Sequence, residues 1–207
     1  MLLQDIPESI KNLEGFRFSK VINGEPVYWF GQTTSTMDIV DKLLKFPNTV
    51  ITGIIVADEQ TQGRGRYGKI WTSNIGGLYF SWLIKAEDNL TTFISELTTF
   101  SLVETLKSFK IICGIKLPND IIYKGQKISG ILIEKKGDFY NIGIGINVSN
   151  EISDVKQGVS MSMILGRSVE SREEVLGQFI NCFRTYKKYF SDNRELYLKK
   201  WSNYLIK

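Results

Sequence analysis

Apolar positions along the chain fall into two rhythms. Ile39, Val40, Leu43 and Leu44 recur at helical spacing behind Ser35 and Thr36, both N-cap residue types, with Asp38 in the first turn. A helix is therefore predicted to begin at these residues. Val50 to Asp58 is β-branched and almost wholly apolar, the pattern of a buried strand. GGLYFSWLIK, ending at Lys85, alternates aromatic and small residues and predicts a second strand. Helical spacing returns at Phe93, Ile94, Leu97, Leu102 and Leu106, predicting one long packed helix from about Leu90 to Phe109. From Ile111 to Val148 short strand patterns are broken by KGQK and KKGD, both hairpin-turn sequences, so this stretch reads as an antiparallel meander. Ser171 and Glu174 form a capping box ahead of Val175, Leu176, Phe179, Ile180, Phe183 and Tyr186, which predicts a closing helix to roughly Phe190. The whole reads as one α+β domain over residues 1–207, a mainly antiparallel or mixed sheet packed with helices.

Composition changes this picture little, but it narrows the chemistry. With 207 residues, 43% of them hydrophobic, the chain can bury a real core. The net charge of +4 is modest and spread out, unlike a nucleic-acid-binding tail. Histidine is absent, which removes serine and cysteine triads and histidine zinc sites. That leaves Lys, Arg, Asp, Glu, Tyr, backbone amides and Mg²⁺ to carry any chemistry. Cys113 and Cys182 match no paired metal or redox spacing and read as buried apolar side chains in a reducing compartment. The first ten residues, MLLQDIPESI, lack a basic signal region, and no apolar run approaches the ~18 residues a membrane span needs. A cytoplasmic protein with no membrane partner is expected.

Between Gln60 and Ala86 no acidic residue occurs, whereas Arg64, Arg66, Lys69 and Lys85 all do. This stretch contains Gly63-x-Gly65-x-x-Gly68, the spacing of a dinucleotide-binding turn. Such a turn needs a helix directly behind it to hold the pyrophosphate on its N-terminus. Trp71, Thr72, Ser73 and the Gly76-Gly77 pair follow instead, so a dinucleotide fold is rejected.

The chemistry-bearing stretches occur in the order STMD (from Ser35), EQTQGRGRYGKIW (Glu59 to Trp71), KLPNDIIYKGQKISGILIE (Lys116 to Glu134) and GIGIN (Gly143 to Asn147). In this order and spacing they resemble the biotin protein ligase family, over about Ser35 to Val148. The resemblance implies a class II synthetase-like catalytic domain that uses ATP, with Mg²⁺ of unassigned ligands, to convert biotin into biotinyl-5′-AMP. The biotinyl group then passes to a lysine of a biotin carrier domain, a part of a biotin-dependent carboxylase. No zinc, haem or flavin is implied. Ser35, Thr36, Met37 and Gln60 match positions around the biotin head, Ser35 also being a plain helix cap; Gly63, Gly65, Gly130 and Gly143 give the ligand room. Arg64 and Arg66 are expected to reach the biotin carboxylate and the phosphate as their loop closes and keeps water from the mixed anhydride. Lys127 matches the lysine that contacts the carboxyl and the reacting phosphate. Lys116 faces phosphate, while Asp120 orients either the incoming amine or the metal. Lys69, Trp71, Asn119 and Asn147 complete the adenylate set, although Trp71 equally fits an anchor of the loop in the core and Asn119 a turn residue.

This chain departs from the family at Lys69, where arginine is common, and at Leu117, where KWPND has tryptophan. Only 34 residues precede Ser35, too few for a helix-turn-helix domain, so no DNA binding is expected. The small C-terminal β-barrel common in the family is not expected either, since the chain ends just after helical sequence. Oligomeric state is not fixed by these patterns, a homodimer being one arrangement they allow. Two alternatives stand beside the ligase: a lipoate or octanoate ligase or transferase of the same superfamily, and a non-catalytic RNA-binding module using Arg64, Arg66 and nearby aromatics.

Overall fold

The computed structural model describes residues 7–46, 52–154, 156–169 and 171–206. The elements run α1 (Glu8–Lys11), β1 (Phe16–Ile22), β2 (Glu25–Thr33), α2 (Thr36–Leu43), β3 (Gly53–Gln60), β4 (Leu78–Lys85), α3 (Asp88–Thr91), α4 (Ile94–Ser108), β5 (Gly114–Lys116), β6 (Asp120–Tyr123), β7 (Gln126–Lys136), β8 (Phe139–Ile146), α5 (Met161–Leu165), α6 (Arg172–Asp192) and α7 (Arg194–Ser202). They fold into two compact units, Met1–Ala86 with Leu132–Ile146, and Glu87–Ile131 with Asn147–Lys207. Strand β7 passes from one unit into the other. Among the described residues no helix is long and apolar enough to cross a membrane.

In the first unit the strand order is β1-β2-β3-β4-β8. The β1/β2, β3/β4 and β4/β8 ladders are antiparallel, and β2/β3 is parallel. A parallel pair needs a crossover, and α2 supplies it. Its residues Ile39, Val40 and Leu43 are buried in a core with Ile10, Tyr28, Phe30, Ile55 and Leu83, and Met37 is buried as well. The strand expected over Val50 to Asp58 is β3, which runs on to Gln60 because pairing with β2 continues through Thr33. Val50 and Ile51 lie outside the described residues.

The second unit holds the meander of β5, β6 and the first part of β7, joined at Lys124 and Gly125, both with positive φ (47° and 86°). Helices α4, α6 and α7 pack together beside it. The capping box forms its first half, with the Glu174 amide donating to Ser171 Oγ at 3.1 Å. The single helix expected from Leu90 to Phe109 is instead two. Phe93 leaves helical geometry (φ −147°) between α3 and α4, and its buried ring stacks on Phe190 of α6 at 4.9 Å and 3°. Aromatic packing across the unit outweighs local helical spacing there. Cys113 and Cys182 are buried and unpaired, and burial pushes the Cys113 thiol up to about 12.

Around Phe100 stand the rings of Tyr186, Tyr197 and Tyr204. Glu104 accepts hydrogen bonds from the Tyr186 and Tyr204 hydroxyls. Burial raises all three phenol pKa values, and the Glu104 charge adds to this. A phenol raised in the folded state supports folding fully below its unfolded pKa near 10, and that support is lost as pH climbs beyond it. Urea midpoints are therefore expected to hold steady to about pH 9.5 and to fall above pH 10. Among the described residues the buried Tyr197 hydroxyl finds no hydrogen-bond partner, so Tyr197→Phe should keep the midpoint at pH 7 and flatten the alkaline loss. A steeper alkaline loss in the variant would contradict this origin.

Candidate functional site

Ser35 ends an extended segment and caps α2, its Oγ accepting from the Met37 amide at 3.3 Å while fully buried. From the next residue a chain of polar contacts runs through the first unit. Ser81 Oγ donates to Thr36 Oγ1 at 2.8 Å, and the Thr36 amide donates to Gln60 Oε1 at 2.8 Å. Gln60 Nε2 donates to Ser73 Oγ at 2.7 Å, and Ser73 Oγ to the Trp71 carbonyl at 3.0 Å. The expected trio of Ser35, Thr36 and Gln60 is thus brought together. Ser73 and Ser81 were not legible as members, although a serine inside the apolar strand LYFSWLIK was a usable signal. Met37 lies over β8, where a Cβ on Gly143 would come within 2.5 Å of its Sδ. The space expected beside Gly143 is filled by this flexible side chain.

The glycine-arginine stretch folds back on itself between Gln60 and Ser73. The Trp71 amide donates to the Gly63 carbonyl at 2.8 Å, and the Gly65 amide to the Lys69 carbonyl at 2.8 Å. At the tip is a single 3-10 turn, Arg66–Gly68, with Tyr67 left-handed at φ 56° and 87% exposed. No helix follows, in line with the rejected dinucleotide reading. Gly63 is required by close approach, since a Cβ there would sit 2.3 Å from the Trp71 carbonyl oxygen. The Trp71 ring lies against Gly145 of β8, where a Cβ would meet Nε1 at 2.4 Å; this is the anchoring placement.

The arginines of this loop have different surroundings. Arg66 lies over the Tyr67 ring at 4.8 Å and donates to its hydroxyl at 2.9 Å, out at the exposed tip. Arg64 points the other way. Its Nη1 lies 3.2 Å from Asp38 and 3.1 Å from Asp41, both on α2, and its Nη2 is 2.5 Å from Glu134 on β7. Lys136 Nζ joins the cluster at 3.1 Å from Asp41 and 2.9 Å from Glu134. Burial works against the Arg64 charge, but Glu134, Asp41 and Asp38 outweigh it and raise its pKa. A hydrogen bond to Glu134 likewise raises that of Lys136. A cleft of about 440 Å³ opens beside the loop, lined by Gln62 to Ile70 with Leu132 and Glu134.

The second unit carries the remaining expected residues. Lys127 Nζ is 2.7 Å from Asp120 Oδ1. Its backbone is held on both sides, the amide donating to the Gln157 carbonyl at 2.7 Å and the carbonyl accepting from Val159 at 3.1 Å. Asn147 Nδ2 also reaches the Lys127 carbonyl, at 3.4 Å, and Asn147 Oδ1 accepts from Asn150. Asn119 is more than a turn residue, donating from Nδ2 to the Ile131 carbonyl at 2.7 Å. Gly130 pairs opposite Asp120, which in turn faces exposed Lys116 across β5/β6. Lys124, at the hairpin tip, lies over the Tyr123 ring at 5.4 Å.

Among the described residues no group of three or more His, Cys, Asp or Glu side chains stands ready to hold a metal ion. The carboxylates of Asp38, Asp41 and Glu134 are already taken by Arg64 and Lys136. The expected Mg²⁺ therefore finds no protein-only cage here. A Mg²⁺ carried on substrate phosphates keeps most of its waters and needs none.

Residues 29–149 match the family described as the biotin/lipoate A/B protein ligase family. The chain is 29% identical over 196 residues to biotin–protein ligase 1, chloroplastic, of Arabidopsis thaliana, covering 86% of this chain and 53% of that protein. It is 30% identical over 169 residues to the bifunctional ligase/repressor BirA of Bacillus spizizenii, covering 74% and 51%. It thus spans about half the length of these two relatives. Among solved structures it resembles the biotin protein ligase from Aquifex aeolicus in complex with biotin and ATP, at 31% identity and a TM-score of 0.68, covering 81% of this chain and 72% of that one.

Proposed function

Because the chain belongs to the biotin/lipoate A/B protein ligase family, we propose that it is an ATP-dependent biotin ligase. A biotin carboxylate oxygen attacks the α-phosphate of ATP, forming a P–O bond as the bond to the leaving pyrophosphate breaks. The product is biotinyl-5′-AMP. A lysine amine of a biotin carrier domain then attacks the acyl carbon, forming an amide, and AMP leaves. We place the reaction in the cytoplasm, where thiols such as Cys113 and Cys182 stay reduced.

The observation that carries this reading is the polar chain from buried Ser81 and Thr36 through half-buried Gln60 to buried Ser73, at the foot of a cationic loop. A fused ureido ring has one carbonyl acceptor and two N–H donors, and suits a few fixed polar groups set in apolar surroundings. Ser35, Thr36 and Gln60 serve that head group. Arg66 and Lys69 supply charge to the anions, and Arg66 has to leave Tyr67 to do so. Lys127 and Lys116 offset phosphate charge, with Asp120 aiming the Lys127 ammonium. Asn119 and Asn147 keep the strand of Lys127 in place.

The deciding measurement is biotin-dependent exchange of labelled pyrophosphate into ATP, run in parallel with lipoate and octanoate, followed by biotin transfer to a purified apo carrier domain. Exchange with biotin alone is the expected result. Exchange with lipoate alone points to the sister activity, and salt-sensitive RNA affinity without any exchange ends the enzymatic reading.

A further inference from the structure

Asn141 lies inside β8 and is fully buried, and neither its Oδ1 nor its Nδ2 finds a hydrogen-bond partner among the described residues. The strand reads FYNIGIGI, so this carboxamide interrupts a run of aromatic, aliphatic and glycine residues. Burying both ends of an amide without a partner is costly, whereas an apolar side chain of similar shape carries no such penalty.

Its place in the sheet says what can meet it. The β4/β8 ladder runs without a register shift from Leu78–Ile146 to Lys85–Phe139, so Phe139, Asn141, Gly143 and Gly145 share one face. The other three fix which face that is. Phe139 packs against the core that holds Ile39, Val40 and Leu43 of α2, a Cβ on Gly143 would meet Met37 Sδ, and one on Gly145 would meet the Trp71 ring. Asn141 is therefore the next position in a row whose two glycines are covered by Met37 and Trp71. Across the ladder, Leu83 stands opposite Asn141 and Ser81 opposite Gly143. Ser81 begins the polar chain to Thr36 and Gln60. The space over Gly143, beside Ser81 and one strand repeat (about 7 Å) from Asn141, is taken by the end of Met37. That side chain is unbranched and has three rotatable bonds, so it can turn aside.

We propose that Asn141 is a specificity-determining residue of the acid-binding site: with Met37 swung off Gly143, its carboxamide meets the cyclic urea of biotin edge to edge. Asn141 Oδ1 accepts from one ureido N–H, and Nδ2 donates to the ureido carbonyl. The two groups match, since each presents a C=O and an N–H side by side. This assignment rests on the proposed ligase activity and says which part of the acid is selected. The dithiolane of lipoate and the alkyl chain of octanoate bring no donor, and either would leave the amide unpaired in a filled pocket. Mismatch of that kind discriminates strongly. The urea is remote from the carboxylate that reacts, so the pairing is the same in the bound acid and in the transition state. Its loss raises KM and spares kcat.

The test compares the full chain with Asn141→Leu, which keeps the branching of the side chain without its polar atoms, and with Asn141→Ala, which serves if leucine packs badly. In biotin-dependent pyrophosphate exchange both variants are expected to raise KM for biotin about thirtyfold or more, with kcat within about threefold. As a competing acid, desthiobiotin, which keeps the urea and lacks the sulfur ring, should weaken in parallel. The urea-denaturation midpoint of Asn141→Leu should be no lower than that of wild type, because an unpaired buried amide has been removed. A direct readout is the nitrogen-15 side-chain amide signal that is missing from the Asn141→Leu spectrum. It should move downfield when biotin is added to wild type and stay in place with lipoate. An unchanged KM for biotin in both variants, or an amide signal that ignores biotin, overturns the assignment and leaves Asn141 a structural amide. An equal response to lipoate overturns it too, for the urea is then not what the amide senses. Wild type with biotin-dependent exchange but variants indistinguishable from it ends this inference alone. Wild type with neither exchange nor an amide response to biotin ends the ligase reading as well.

Discussion

Replacing Lys127 with alanine is expected to cut biotin-dependent pyrophosphate exchange by about 10²–10³-fold, the usual loss when one preorganised donor is removed from a charged transition state. The proposed adenylation brings a carboxylate against a triphosphate and moves negative charge onto departing pyrophosphate. A fixed ammonium offsets that repulsion only if its position costs nothing to reach. Lys127 meets this condition: its backbone is bonded to Gln157 and Val159 on either side, and its Nζ rests 2.7 Å from Asp120. The pair is about one-third exposed, so its own contribution to folding is below about 1 kcal/mol. Urea midpoints of wild type and Lys127→Ala should therefore nearly coincide while activity separates them. Asp120→Asn keeps the ammonium but loosens its aim, and should fall between the two. Wild-type exchange by a well-folded Lys127→Ala protein would remove Lys127 from the site.

Gly63→Ala should cost about a hundredfold in the same assay, the scale of a 1 Å misplacement around a reacting centre, without unfolding the protein. The added methyl would lie 2.3 Å from the Trp71 carbonyl oxygen, 2.7 Å from Ser73 Oγ and 3.0 Å from Gln60 Nε2. The nearest of these is backbone and cannot rotate aside. It also accepts the Ser73 hydroxyl, while the Trp71 amide is bonded to Gly63 itself. The loop must shift as a whole, carrying Gln60 and the polar chain with it. Gly65→Ala is the matched control, because its nearest neighbour, the Lys69 carbonyl oxygen, stands at 3.0 Å. It should lose several-fold less. Equal activity in Gly63→Ala and wild type, with far-UV circular dichroism unchanged, would show that the loop does not need this close approach.

Much of the fold was legible because its signals are local. The cap at Ser35, the apolar face of α2, the strands β3 and β4 and the turn at Lys124-Gly125 each follow from neighbouring residues. The failure at Phe93 is of another kind. Nothing around Leu90 to Phe109 announces Phe190, yet stacking on that ring decides where the helix begins. In the candidate site the trio of Ser35, Thr36 and Gln60 was foreseen, but Ser73 and Ser81, which join it to the loop and to β4, were not. Trp71 had two readings, and its ring lies against Gly145, the contact expected of an anchor.

What the sequence by itself determined is the inventory and its family: a cationic glycine loop with no helix behind it, a capped helix before it, no histidine anywhere, and motifs in the order of biotin ligases. Only the tertiary structure decided what surrounds each of those cations. Arg64 and Arg66 are two residues apart and alike in every local respect, yet one is surrounded by Asp38, Asp41 and Glu134 and the other lies on an exposed ring. Charge–charge energy depends on separation through space and on the local dielectric. Spacing along the chain supplies neither, and so the surroundings of two like arginines are settled by folding.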